Sequence, residues 1–191
     1  MTPAVQTLLI ANVVCFLLQG VASGEFISSL ALWPLNGPFM PWQLITYAFL
    51  HGSIMHIALN MYGLWMFGRE LEALLGRKVF YQLYFASVLT AGITQVVFST
   101  VTGGMYPTLG ASGGVFGLLL AYGMFFPNRV IMLLFPPVAL PARAFVFIYA
   151  GIELFFGVSG MEAGVAHFAH LGGMIGAYLV LYYRRRGRWR R

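Results

Sequence analysis

The chain has 191 residues, of which 60% are hydrophobic and 8% charged, with a net charge of +6 and a mean hydropathy of +0.81. Soluble domains carry about 25% charged residues, so these side chains cannot coat a globule in water, and the composition defines a membrane protein. Six of the 11 basic residues crowd the stretch Arg184–Arg191 directly after an apolar segment, the pattern of a cytoplasmic anchor on anionic lipid and not of a nucleic-acid surface.

Apolar stretches lie near 5–22, 50–68, 79–101, 111–126, 144–158 and 165–183. Each is read as a membrane-spanning helix, although several fall short of the ~20 residues that cross a bilayer. No Lys or Arg precedes the first stretch, which argues for a retained helix and against a cleaved signal peptide. The lone cysteine, Cys15, lies within it, so no disulfide framework is possible. Between Arg129 and Arg143 the segment 130–142 is apolar but too short to span, and Pro136, Pro137 and Pro141 block a regular helix; it is expected to run along the interface and return. Six spans then put all 11 basic residues on one side: Arg69, Arg77 and Lys78 after span two, Arg129 and Arg143 after span four, the rest after span six. That side is the cytoplasm. The expected organisation is one six-helix membrane domain over 1–183 and a basic tail over 184–191, in the inner (plasma) membrane with both termini cytoplasmic.

Strongly polar side chains at membrane depth are costly and mark function by default. Here they are His51, His56 and Asn60 at the start of span two, Ser112 opening span four, Glu153 in span five, and His167 and His170 early in span six. At ~1.5 Å per residue, His56, Asn60 and His170 sit roughly 7–15 Å below the outer surface. Ser112 is surrounded by Gly110, Gly113, Gly114 and Gly117. The Gly113/Gly117 and Gly172/Gly176 pairs have the small-xxx-small spacing that lets membrane helices touch, so spans four and six are expected to pack on those faces and bring Ser112 to an imidazole. On residues alone, helix packing with an incidental serine remains an alternative. Gly110–Gly114 also fits G-x-S-x-G, but that elbow needs a soluble parallel sheet and is rejected.

Four motifs stand in order: His51-x4-His56-x3-Asn60, Gly68-x3-Glu72-x3-Gly76, Gly110-Ala-Ser112-Gly113, and Ala169-His170-x2-Gly173. With these the chain resembles the rhomboids, a family of intramembrane serine proteases, in their compact bacterial form. The resemblance implies an all-α membrane protein, a rhomboid-like bundle of six transmembrane helices. It implies Ser112 as nucleophile, His170 as general base, and His56, Asn60 and the Ser112 N–H as the oxyanion hole. His51, Phe116, Gly110 and Gly113 support them, Phe116 by stacking on the catalytic imidazole. Glu72 is expected to secure the loop between spans two and three. Gln43 replaces the arginine that usually follows the tryptophan at Trp42, which questions how the first outer loop is anchored. The implied substrates are single-span membrane proteins in the bilayer, cut near the outer end of their span and admitted past span five and the loop 159–164. No cofactor or metal is expected.

With no aspartate in the chain, the reaction is expected to run on a Ser–His dyad. His167, one turn from His170, competes for the role of base. Glu153 could orient a histidine, but its neighbours Leu154 and Phe155 favour an interfacial, structural position, and both readings stay open. The rival reading is a membrane electron carrier binding haem or quinone through histidines of spans two and six, which leaves Ser112 and its glycines without a role.

Overall fold

A computed structural model describes residues 1–132, 138–159 and 166–188. Six long helices form the bundle: α1 (Pro3–Gln19), α4 (Ile54–Leu75), α5 (Arg77–Thr102), α6 (Ser112–Phe125), α7 (Ala142–Ser159) and α8 (His167–Arg188). The short helices α2 (Gly24–Leu30) and α3 (Gln43–Thr46), the latter running into a 3-10 turn at Tyr47–Phe49, lie in the first outer loop. The long helices correspond to the six apolar stretches. Helices α5 and α7 are each long and apolar enough to cross a membrane, and α4 qualifies together with the segment Gln43–Phe49 from which it bends by 100°. Helices α1 and α6 are apolar but shorter. A short helix can still bridge the bilayer where its ends are buried in protein or the bilayer is thinned. The basic run expected as a separate tail begins inside α8, which continues through Arg188.

Helix termini follow the sequence locally. Ser53 accepts the His56 N–H through its side chain and caps α4. Helix α4 ends at Gly76, whose φ of +79° suits glycine, and α5 starts at once. Glu72 does not hold the loop between these helices as expected. Its two carboxylate oxygens accept the backbone N–H groups of Ala4 and Val5 at 2.8 and 2.9 Å, capping the start of α1. The first turn of a helix leaves N–H groups unpaired and carries partial positive charge, so a carboxylate from another helix is a natural partner.

The described part of the segment after α6 forms no helix, as its prolines led one to expect: β1 (Val130–Met132) pairs antiparallel with β2 (Ala139–Pro141), in register Val130↔Pro141. Pro136 and Pro137 lie outside the described residues. Glu70 of α4 lies 3.2 Å from Arg129 and accepts the Tyr122 hydroxyl, so this end of α4 is tied to the end of α6.

The core lies where α4, α5, α6 and α8 meet, around Leu64, Phe67, Leu83, Tyr84, Val88 and Leu118. Its tightest contacts are made by glycines. A Cβ on Gly173 of α8 would overlap the carbonyl of Gly113 on α6, and one on Gly114 would lie 2.6 Å from the Tyr84 ring. Gly172 and Gly176 do not face α6 as expected; they face Thr90 and Thr94 of α5. Gly173 is one residue, about 100° of helical rotation, further round and turns to α6 instead. Large apolar side chains cover the outside, among them Val101, Phe147, Val158 and Ile175.

Candidate active site

Ser112 is the first residue of α6, where its N–H has no partner inside the helix. The preceding turn depends on Gly110, whose φ is +125°, a conformation that a side chain makes unfavourable. Its N–H donates to the Tyr47 carbonyl, and the Tyr47 hydroxyl donates to the carbonyl of Val88 on α5. The turn carrying the serine is thus fastened to the core on both sides.

Because Gly113 and Gly173 let the α6 and α8 backbones touch, the first turns of the two helices come together. His170 Nε2 lies 2.8 Å from Ser112 Oγ. The Phe116 ring, one turn along α6, stacks on the His170 imidazole at 4.2 Å between centroids and 5° between planes. Phe116 therefore fixes the plane in which His170 can turn.

His56 and Asn60 approach from α4. A Cβ on Gly110 would lie 2.7 Å from His56 Nε2 and 3.8 Å from Ser112 Oγ, so the two groups border one small space that only glycine leaves open. The Gly52 N–H donates to His56 Nδ1 at 3.4 Å, which leaves the proton of a neutral imidazole on Nε2, the atom facing that space. Asn60 is buried and donates from Nδ2 to the His56 carbonyl, with one amide hydrogen left over. His51 meets the His56 ring edge-on at 5.1 Å. The His51 backbone is held by Gln19, which both donates to its carbonyl and accepts its N–H.

Glu153 is where sequence reasoning went wrong. It is only 7% exposed, not interfacial. Its Oε2 accepts from His167 Nδ1 at 2.7 Å and lies 2.8 Å from His170 Nδ1, the latter a close contact outside good hydrogen-bond alignment. Its neighbours Leu154 and Phe155 are exposed on the outside of the bundle. Residue 153 is rotated by 100° from Leu154 and turns inward. A lone acid in an apolar helix was the available signal, since a carboxylate at that depth requires a partner. His167 takes no position beside the serine hydroxyl among the contacts described; it meets Glu153, and its ring stacks on Phe156.

The outer loop is anchored despite the missing arginine. Gln43 is 1% exposed, donates to the carbonyls of Ser29 and Pro38, and accepts the Trp33 N–H. Trp42 donates from its ring to Ser29 O. A neutral amide makes three bonds here and requires no buried charge. Of the loop after α7, residues 160–165 lie outside the described set.

The fold and this site define a class: a helical membrane bundle with a serine and an imidazole in contact where two spans cross. Residues 38–187 match the family described as the Rhomboid domain, and the chain belongs to the rhomboid family. It is 32% identical over 188 residues to rhomboid protease GlpG of Yersinia enterocolitica, covering 96% of this chain and 62% of that protein. It is 33% identical over 139 residues to rhomboid protease GluP of Bacillus subtilis, covering 72% and 25%. It is 31% identical over 144 residues to the mitochondrial presenilin-associated rhomboid-like protein A of Danio rerio, covering 73% and 37%. The chain thus spans less than two thirds of the length of each of these relatives.

Proposed function

We propose that this protein is an intramembrane serine endopeptidase that cuts membrane-spanning segments of other proteins through an acyl-enzyme. The observation that carries the reading is the 2.8 Å approach of Ser112 Oγ to His170 Nε2 beneath the Phe116 ring. His170 takes the serine proton as Oγ attacks the scissile carbonyl, then returns it to the leaving amine; water, activated in the same way, releases the acyl group. The oxyanion forms in the space bordered by His56 Nε2, the spare amide hydrogen of Asn60 and the Ser112 N–H. One such donor is worth ~3–4 kcal/mol of barrier. Ser112 is partly accessible, and Gly52 and Ser53 beside the site are exposed, which supports access for water.

The proposed setting is the bacterial inner membrane with both termini in the cytoplasm, the basic residues supplying the orientation. Single-span proteins are the proposed substrates, opened near the outer end of their helix because a protease needs extended backbone. The electron-carrier reading fares worse. His170 has Ser112 against one ring nitrogen and Glu153 against the other, so neither nitrogen is free to ligate a haem iron.

The test is labelling with a fluorophosphonate probe followed by peptide mapping. The expected product is a single adduct on Ser112 that disappears in His170→Ala; an unlabelled Ser112 in folded wild-type protein would overturn the proposal.

A further inference from the structure

We propose that Glu153 is the positioning carboxylate of His170 and that His167 holds Glu153 in place, so that the Ser112–His170 pair works with Glu153 as an orienting third member. The inference rests on the protease reading above. It concerns what sets the protonation and orientation of the base.

Helix α7 presents Phe147, Leu154, Phe155 and Val158 outward, yet turns its single acid to the interior. A carboxylate buried in an apolar helix is strongly destabilising unless it is paired, and among the described contacts its partners are two imidazoles. One oxygen, Oε2, serves both: 2.7 Å to His167 Nδ1 and 2.8 Å to His170 Nδ1. A carboxylate oxygen has lone pairs for two donors. The helices come close enough for this at Gly157, one turn beyond Glu153 on the same face, where a Cβ would lie 3.2 Å from His167 Cβ and 3.0 Å from the Phe168 ring.

The consequence falls on the far ring nitrogen. With the carboxylate at Nδ1, neutral His170 carries its proton there, and Nε2 presents a lone pair to the Ser112 hydroxyl. The opposite tautomer would put N–H against O–H and could not accept the serine proton. As Oγ attacks, His170 becomes an imidazolium beside a fixed anion, which in a site of low dielectric is stabilised far more than in water. Stacking on Phe116 sets the ring plane but cannot choose between tautomers. The better-aligned bond from His167 fixes the carboxylate; His167 is a second positioning residue, not a competing base.

The groups that bear on the charge of His170 are Glu153 from α7, His167 from its own helix and His56 from α4. The experiment uses the full chain reconstituted in liposomes with a cleavable single-span substrate. Glu153→Gln is expected to lower kcat about a thousandfold with KM little changed. The acid limb of kcat/KM should move down, because removing a neighbouring anion makes the imidazolium less favourable. Glu153→Asp should restore part of both. An unchanged rate in Glu153→Gln would overturn the inference. So would an equal loss in Glu153→Gln and His167→Phe with an unmoved acid limb, which is the signature of a purely structural tie between α7 and α8. Should Glu153→Gln not fold, nitrogen-15 NMR of labelled histidine in the wild type decides: the expected His170 signal is the Nδ1–H tautomer, and an Nε2–H tautomer overturns the inference. Wild-type protein that neither cleaves nor labels at Ser112 would instead sink the protease reading itself.

Discussion

The two sides of α8 are built on opposite principles. Towards α5 and α6 it presents Gly172, Gly173 and Gly176, and the facing backbones and hydroxyls leave no room for a methyl group. Towards α7 it presents His167 and His170, and the partner helix meets them with one carboxylate and one glycine while much of its surface faces outward. The first side sets distance: it decides how far Ser112 is from the imidazole. The second sets charge and orientation. Within a membrane, helices gain little from burying apolar surface against each other, so close contact has to come from small residues and from polar bonds. Here the two devices are assigned to different neighbours of one helix.

Substitutions can separate these roles. The largest effect on stability is expected at the seam. Gly173→Ala would push its methyl into the Gly113 carbonyl and spread α6 from α8, at a cost of about 3 kcal/mol. The unfolding midpoint in detergent should drop by roughly 6–12 °C, and activity by more than a hundredfold, since ~1 Å of misplacement at the reacting atoms costs that much. Wild-type cleavage by Gly173→Ala would mean that the seam does not control the serine–imidazole distance.

Gly110→Ala acts more locally. It combines a φ of +125° with a methyl 2.7 Å from His56 Nε2. The expected loss in kcat is roughly 30-fold, a part of the ~10²–10³ that one oxyanion donor contributes. If KM rose and kcat stayed, His56 would be a substrate-binding group and not a donor to the oxyanion.

Phe116→Leu removes the stacked ring and keeps the bulk. A stacking pair is worth about 0.5–1.5 kcal/mol, so the rate should fall about two- to tenfold with the acid limb of the pH profile in place. This sharpens the contrast with Glu153→Gln, in which that limb moves. The smallest effect is expected on the outer face of α7. Phe147 is 78% exposed, and Phe147→Ala should keep stability within about 0.5 kcal/mol and turnover within about twofold. A tenfold loss there would show that this face packs against something that the activity requires.

Much of this molecule could be read from its residues one by one. Apolar length located the six helices, and the glycines around Ser112 and His170 pointed to a close crossing. These are local properties: hydropathy along one segment, residue size at one position. Which glycine faces which helix was not local. Gly172, Gly173 and Gly176 look alike in a sequence, and only the rotation of α8 gives Gly173 to α6 and the other two to α5. Glu72 capping α1 across 68 residues, Gln43 standing in for an arginine, and Glu153 turning inward have the same origin. The partner of a buried polar group is chosen by the packing of helices distant in sequence. Composition shows that such a group requires a partner, and only the assembled bundle decides which one it meets.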